Sequence, residues 1–144
     1  MRVLIDTNVL LDVILEHAAW VDEATALLDR SARGEIEGYV AAHSVTTIYY
    51  IVERERDRRT ALTALGDLLS TVAVAELGGA DFHRALALGL RDFEDAVQAA
   101  ACLRIGADFL ATRNAKDFKG AAVTTRTPGE ILALLTGDTG LHPR

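Results

Sequence analysis

Short apolar runs alternate with amphipathic helical segments along most of this 144-residue chain. Strands that alternate with helices in this way are typical of α/β layer folds built around a largely parallel sheet. We therefore predict that fold class from the pattern. The predicted strands cover residues 2–6, 38–43, 71–77, 108–113 and 121–125. The predicted helices cover residues 8–15, 18–34, 44–55, 57–69, 79–90, 92–103 and 127–135.

Three residues are typical of helix ends. Ser44 and Asp92 are natural N-caps, because their short side chains accept hydrogen bonds from backbone N–H groups of the first turn. Gly106 follows the helix that Asp92 begins, and glycine is common just after the last helical residue. We expect each of these residues to lie at the boundary of its helix.

The composition is that of an ordinary globular protein, with 50% hydrophobic and 25% charged residues. We expect one domain over residues 1–136 and a flexible C-terminal tail over residues 137–144. The single cysteine, Cys102, suits a reducing compartment, and in its alanine-rich helix it reads as a small core residue. Acids interrupt the apolar N-terminal stretch, so we predict a cytoplasmic protein without a membrane span or signal peptide.

The net charge of -6 limits the possible functions. It argues against a general nucleic-acid binder, because contacts with phosphates need a basic surface. It is compatible with an enzyme that holds divalent cations in an acidic pocket, because a bound ion inverts the local electrostatics. Net charge alone therefore leaves metal-dependent enzymes open.

Three acids lie where a parallel sheet gathers its functional groups. Asp6 directly follows the first strand, Asp117 follows a later strand with Asn114 close by, and Asp95 lies in the first turn of a helix. Sites in such sheets form beyond the carboxyl ends of the strands, so one pocket could hold all three acids. Carboxylates in this number suit Mg2+ or Mn2+, which can activate water and stabilise charge on a phosphoryl group.

Each acid also has a structural interpretation. Asp95 near a helix start is favourable through the helix dipole alone, and Asp117 could simply make a turn. Asp6 is harder to explain in this way, because an acid placed directly after a buried strand needs partners. The order and spacing of the three acids favour a shared site over three separate structural roles.

Three stretches in this order resemble the motifs of PIN-domain nucleases, a family that includes the VapC-like toxins of bacterial toxin–antitoxin pairs. The stretches are LIDTNVLLD, DFEDAVQAAAC and FLATRNAKDF, and the resemblance runs from Arg2 to about Leu135. It implies a PIN-like three-layer α/β/α sandwich and a Mg2+- or Mn2+-dependent endoribonuclease. It also implies an RNA substrate, a small antitoxin partner and, as in many of these proteins, a homodimer.

The resemblance assigns roles to residues by motif. Asp6 matches the first acid of the family and Asp95 the third, while Asn114 with Asp117 matches the last polar–acidic motif. Asp6, Asp95 and Asp117 are thereby implied as metal ligands, with Asn114 orienting a ligand or a water. Thr7 and Asn8 match the small polar residues that support the first acid.

The sequence departs from the family pattern at one position. The acid that the family carries early in the third helix is replaced by Thr47 or, in another alignment, Thr46. Glu53 lies about one and a half turns further along that helix. Glu94, which adjoins Asp95, is the nearer substitute.

Two other functions stay open. With Thr47 in place of an acid, the chain could be a PIN-fold module that binds RNA or a protein and cuts weakly or not at all. A phosphatase with Asp6 as nucleophile would need a second acid two residues later, where the chain has Asn8. Arg113 and Lys116, which flank Asn114, are the basic residues best placed along the sequence to contact a substrate.

Overall fold

The computed structural model describes residues 1–140, and residues 141–144 lie outside the described part. The described residues form five strands and seven α-helices. The strands are β1 (Arg2–Ile5), β2 (Glu37–Ala41), β3 (Ala73–Ala75), β4 (Phe109–Ala111) and β5 (Thr125–Arg126). The helices are α1 (Thr7–Ile14), α2 (Val21–Ala32), α3 (Ala42–Glu55), α4 (Arg58–Thr71), α5 (Gly79–Leu88), α6 (Phe93–Ile105) and α7 (Pro128–Gly140). A short 3-10 helix, Ala115–Phe118, follows β4.

All five strands are parallel and follow the order β3-β2-β1-β4-β5. The first strand is therefore the central one, with β2 and β4 paired to its two edges. This confirms the predicted α/β fold with a parallel sheet. It also places Asp6, the residue that follows β1, at the middle of the carboxyl edge of the sheet.

The side chains of β1 alternate between two hydrophobic cores, as the pleat of a strand requires. Val3 and Ile5 pack with apolar residues of α1–α4 and α7. Leu4 packs on the other face with Ala99 and Cys102 of α6. Cys102 is therefore a small core residue, as predicted. Helices cover both faces of the sheet, which gives the three-layer sandwich.

Two of the three predicted helix ends are confirmed. Asp92 accepts hydrogen bonds from the backbone N–H groups of Glu94 (2.8 Å) and Asp95 (3.2 Å) at the start of α6. Gly106 ends this helix with a left-handed φ of 62°. The prediction for Ser44 is wrong, because α3 begins at Ala42, directly after β2, and Ser44 is buried inside its first turn.

The last strand is shorter and later than predicted, covering only Thr125–Arg126. The residues before it form the 3-10 helix and two left-handed turns, at Gly120 (φ 88°) and Ala122 (φ 60°), which delay the return to extended backbone. The closing helix begins at Pro128, one residue after the predicted start, and reaches Gly140, four residues into the segment predicted as a tail. The flexibility of residues 137–144 stays a prediction, and residues 141–144 lie outside the described residues.

No helix within residues 1–140 is both long and apolar enough to cross a membrane.

Two glycines offer a matched test of how closely the layers pack. A Cβ on Gly38 in β2 would lie 2.5 Å from Oγ and 3.0 Å from Cβ of Ser31 in α2, whose hydroxyl is held by a hydrogen bond to the Thr71 carbonyl. We expect Gly38→Ala to lower the free energy of unfolding by about 1–3 kcal/mol. Gly66 in α4 has open space around it, so Gly66→Ala should raise that free energy by about 0.5–1 kcal/mol. Urea unfolding measures both, and equal effects of the two substitutions would contradict the close contact at Gly38.

Candidate functional site

Asp6 is a buried carboxylate at the carboxyl end of the central strand, with 3% of its surface exposed. It caps α1, with its Oδ1 3.5 Å from the backbone nitrogen of Asn8. Gln98 Nε2 of α6 donates to the same oxygen at 2.9 Å, and Thr112 Oγ1, just after β4, donates to Oδ2 at 2.8 Å. Burial raises the pKa of Asp6, while the hydrogen bond from Thr112 opposes that rise. Side chains from two other parts of the fold thus hold one carboxylate in place.

Gln98 extends this arrangement into a buried polar network. Its Nε2 also donates to Thr7 Oγ1 at 2.7 Å, and Thr7 in turn donates to Ser44 Oγ at 2.7 Å. Thr7 therefore helps to hold Gln98, the residue that donates to Asp6, in line with its motif position. Ser44 does not cap its helix because its hydroxyl serves this network. Among the described residues, Gln98 Oε1 is buried without a hydrogen-bond partner.

The sequence analysis missed Gln98. The available signal was its position three residues after Asp95, which places both side chains on one face of α6. A polar residue in the middle of an otherwise apolar helix face needs a partner when it is buried. That partner, Asp6, is 92 residues away in the sequence, so only the fold identifies it.

Asp95 and Asp117 lie together in a second part of the site. With Arg91 and Asp92 they line a cavity of about 420 Å³, which we call the acidic pocket. Asp95 is partly buried, and Asp117 is exposed on the 3-10 helix. Burial, followed by the charges of Asp92, Asp6, Asp117 and Glu94, raises the pKa of Asp95 to about 7. Asp95 is therefore within electrostatic reach of both Asp6 and Asp117.

Asn114 contributes to the site through its backbone. Its N–H donates to Thr112 Oγ1 at 3.0 Å, while that hydroxyl donates to Asp6. The residue is partly buried and immediately precedes the 3-10 helix that carries Asp117. Asn114 thus couples the orientation of Asp6 to the segment that carries the last acid.

The oxygen donors of these acids suit a divalent cation, although the acids lie too far apart to form a complete set of metal ligands. Carboxylates that raise one another's pKa are stabilised by a cation placed among them, and oxygen donors suit Mg2+ or Mn2+. Within residues 1–140, however, no three Asp, Glu, His or Cys side chains are grouped closely enough to hold a metal ion. The residues present are the right donors, and they are not gathered into a finished coordination shell.

Thr47, which stands where the family has an acid, lies beside a carboxylate from another helix. Its Oγ1 is 3.1 Å from Oε2 of Glu94 and 3.3 Å from the His43 carbonyl oxygen. Thr46 is exposed and is 3.2 Å from the same carbonyl oxygen. Glu53 accepts a hydrogen bond from the hydroxyl of Tyr49 at 3.1 Å. Of the two substitutes considered from the sequence, Glu94 is the one in contact with Thr47.

Arg113 is held away from the role expected of it. Its guanidinium donates to both carboxylate oxygens of Asp12, at 3.0 and 3.3 Å, and lies 3.9 Å from the ring centroid of Trp20. Asp12 is 1% exposed and also contacts His17 Nδ1 at 2.7 Å. Arg113 therefore neutralises a buried acid and anchors the segment after β4. Lys116 is exposed.

Removing the amide of Gln98 should lower the free energy of unfolding, because buried Asp6 then loses a hydrogen-bond donor. In Gln98→Leu, Asp6 and Thr7 lose a donor inside the protein, so we expect the free energy of unfolding at pH 8 to fall by about 1–3 kcal/mol. Urea unfolding measures this fall. In an Asp6→Asn background the buried charge is absent, and the same substitution should cost less. Equal costs in the two backgrounds would contradict the coupling between Gln98 and Asp6.

The raised pKa of Asp95 predicts a specific pH dependence of stability in the metal-free protein. Its pKa of about 7 in the folded protein exceeds its ordinary value of 3.8, so its stabilising contribution is complete below the lower value and is lost as the pH rises through the higher one. We expect Asp95→Asn, which cannot ionise, to have the higher Tm at pH 8, by ~2–4 °C for each 1 kcal/mol regained. At pH 4 the two proteins should differ little.

Thermal unfolding followed by circular dichroism in the presence of EDTA measures this difference. Exposed Glu76 provides a matched control, because Glu76→Gln should change the Tm little at either pH. A Tm of Asp95→Asn equal to or below that of wild type at pH 8 would contradict the electrostatic description of the acidic pocket.

Comparison with solved structures finds this fold in toxin–antitoxin proteins. A chain of VapBC2 from Rickettsia felis, bound to a DNA fragment from their promoter, has a TM-score of 0.72 and 17% identity, with 88% of this chain and 98% of that chain covered. VapC20 from Mycobacterium tuberculosis, described as a Sarcin-Ricin loop cleaving toxin, has a TM-score of 0.68 and 18% identity, with 85% and 96% covered. VapBC-1 from nontypeable Haemophilus influenzae has a TM-score of 0.69 and 12% identity, with 90% and 99% covered.

At these identities the structural likeness shows a common fold. No curated protein sequence matches the chain. The family described as PIN domain matches it over residues 2–116, which include all of β1–β4 and the residues Asp6, Asp95 and Asn114. PIN domains are typically nucleases, and they generally use divalent metal ions. The chain therefore belongs to the PIN-domain family.

Proposed function

We propose that this protein is a Mg2+- or Mn2+-dependent endoribonuclease that hydrolyses RNA phosphodiester bonds. Asp6, Asp95 and Asp117 would hold the metal ion. The observation that carries the proposal is the acidic pocket beside Asp6, where neighbouring carboxylates and burial raise the pKa of Asp95 to about 7. Strongly perturbed carboxyl groups in a cleft are typical of functional sites.

The residues of the chain have distinct parts in this proposal. Asp6 is oriented by Gln98 and Thr112, so its oxygens keep fixed directions. Asp95 must lose its proton before it can serve as a ligand, and Asn114 orients a ligand or a water. A bound metal ion would lower the pKa of a coordinated water and would stabilise negative charge on the phosphate.

The partners of this protein are proposed from its structural relatives. VapC20 is described as a toxin that cleaves the Sarcin-Ricin loop, and VapBC2 and VapBC-1 share the fold. We propose that this chain is likewise a cytoplasmic toxin, forms a homodimer and binds a small antitoxin encoded separately. An antitoxin could block the site with a basic side chain placed among the carboxylates.

A second function is favoured by two observations. The carboxylates of the described residues are not gathered closely enough to hold a metal ion, and Thr47 stands where an acid was expected. Both features suit a PIN-fold module that binds RNA or a protein and cuts weakly or not at all. Metal-dependent turnover separates this module from the nuclease.

The nuclease should cut a structured RNA only when Mn2+ or Mg2+ is present. We expect Asp6→Asn and Asp95→Asn each to lower the cleavage rate by about 100-fold or more, because each removes a charge that helps hold the metal ion. Gel analysis of cleavage across a titration of each metal measures the rates. Glu76→Gln is the matched control for loss of one exposed acid and should keep the wild-type rate.

The outcome chooses between the two functions. Metal-dependent cutting that both aspartate variants abolish supports the nuclease. RNA binding that survives Asp6→Asn, with no cutting by the wild-type protein at any metal concentration, would favour the binding module.

A further inference from the structure

We propose that Glu94, from α6, supplies the carboxylate that α3 lacks at Thr47, and that Thr47 holds it in place. This inference rests on the proposed metal-dependent function, because it adds a fourth acid to the same site. The hydroxyl of Thr47 and the carboxylate of Glu94 meet across 47 residues of sequence.

The contact gives Thr47 a role that a hydroxyl can perform. Thr47 Oγ1 lies 3.1 Å from Glu94 Oε2, which is hydrogen-bonding distance for a donor and an ionised acceptor. The threonine cannot replace a carboxylate as a charged ligand, but it can position one. The carboxylate of Glu94 on α6 therefore lies beside Thr47, the position on α3 where the family pattern has an acid.

The charge of Glu94 acts on the two principal acids of the site. Its carboxylate lies near enough to each for an electrostatic interaction, while the contact with Thr47 carries its placement. Glu94 and Asp95 are consecutive residues in the first turn of α6. Asp92 caps this turn by accepting hydrogen bonds from the N–H groups of both. The capped turn fixes the backbones of the two consecutive acids relative to each other.

Two alternatives for the missing acid are weaker. Glu53 is on α3 itself, but its carboxylate accepts a hydrogen bond from Tyr49. A role for Glu94 limited to the helix dipole would account for its place in the first turn, yet not for its contact with Thr47 on another helix. A dipole role would also leave metal affinity unchanged, and this difference makes the inference testable.

Isothermal titration of the full-length protein with Mn2+ tests the assignment without relying on activity. We expect Glu94→Gln to weaken Mn2+ binding by about 10–100-fold and Thr47→Val, which keeps the shape but removes the hydroxyl, to weaken it less. The double variant Thr47→Glu with Glu94→Gln returns an acid to α3 and should recover most of the lost affinity. Glu76→Gln is the control and should bind as wild type does.

Asp6→Asn serves as the reference for loss of the whole site. If Asp6→Asn loses Mn2+ binding while Glu94→Gln keeps it, the assignment of Glu94 is overturned and the proposed site stands. If the wild-type protein itself binds no Mn2+, both are overturned. Circular dichroism confirms that each variant is folded, and Glu94→Asp, which keeps the charge on a shorter side chain, should lie between wild type and Glu94→Gln.

Discussion

The buried carboxylate of Asp6 is the group on which the rest of the site depends. A carboxylate with 3% exposure is costly to bury unless hydrogen bonds compensate it. Gln98 and Thr112 provide those bonds from α6 and from the end of β4, so the two elements are tied to the central strand at one point. The same bonds fix the direction of the carboxylate, because both of its oxygens are engaged. Stability of the fold and orientation of the candidate ligand therefore have a common origin.

Beside Asp6, three aspartates and one arginine line the acidic pocket. Asp95 shares the acidic pocket with Asp92 and Asp117, and its raised pKa reflects burial as well as their repulsion. By contrast, buried Asp12 is neutralised by Arg113. Among the described residues, buried Asp12 forms an ion pair with Arg113, whereas Asp95 and Asp117 form none. A cation among the unpaired acids would relieve their repulsion, which is the physical reason for expecting metal ions at this edge of the sheet.

Much of this arrangement could be predicted because it is local in sequence. Strand and helix periodicity identified β1–β4, although β5 comes later than predicted, and the capping residues Asp92 and Gly106 acted as expected. Errors arose where a tertiary contact competed with a local preference. Ser44 has an ordinary capping side chain, but its hydroxyl accepts a hydrogen bond from Thr7 and the helix begins earlier.

The sequence by itself determined the parallel α/β fold, the order of its motifs and the identity of the three acids, since these depend on periodicity and on which residues follow strands. Only the tertiary structure decided that Gln98 supports Asp6, that Thr47 meets Glu94, and that Asp95 and Asp117 line one pocket. The physical reason is distance along the chain. Partners separated by tens of residues leave no local pattern, and they meet only because the central strand and the helices that cover it bring their ends to one edge of the sheet.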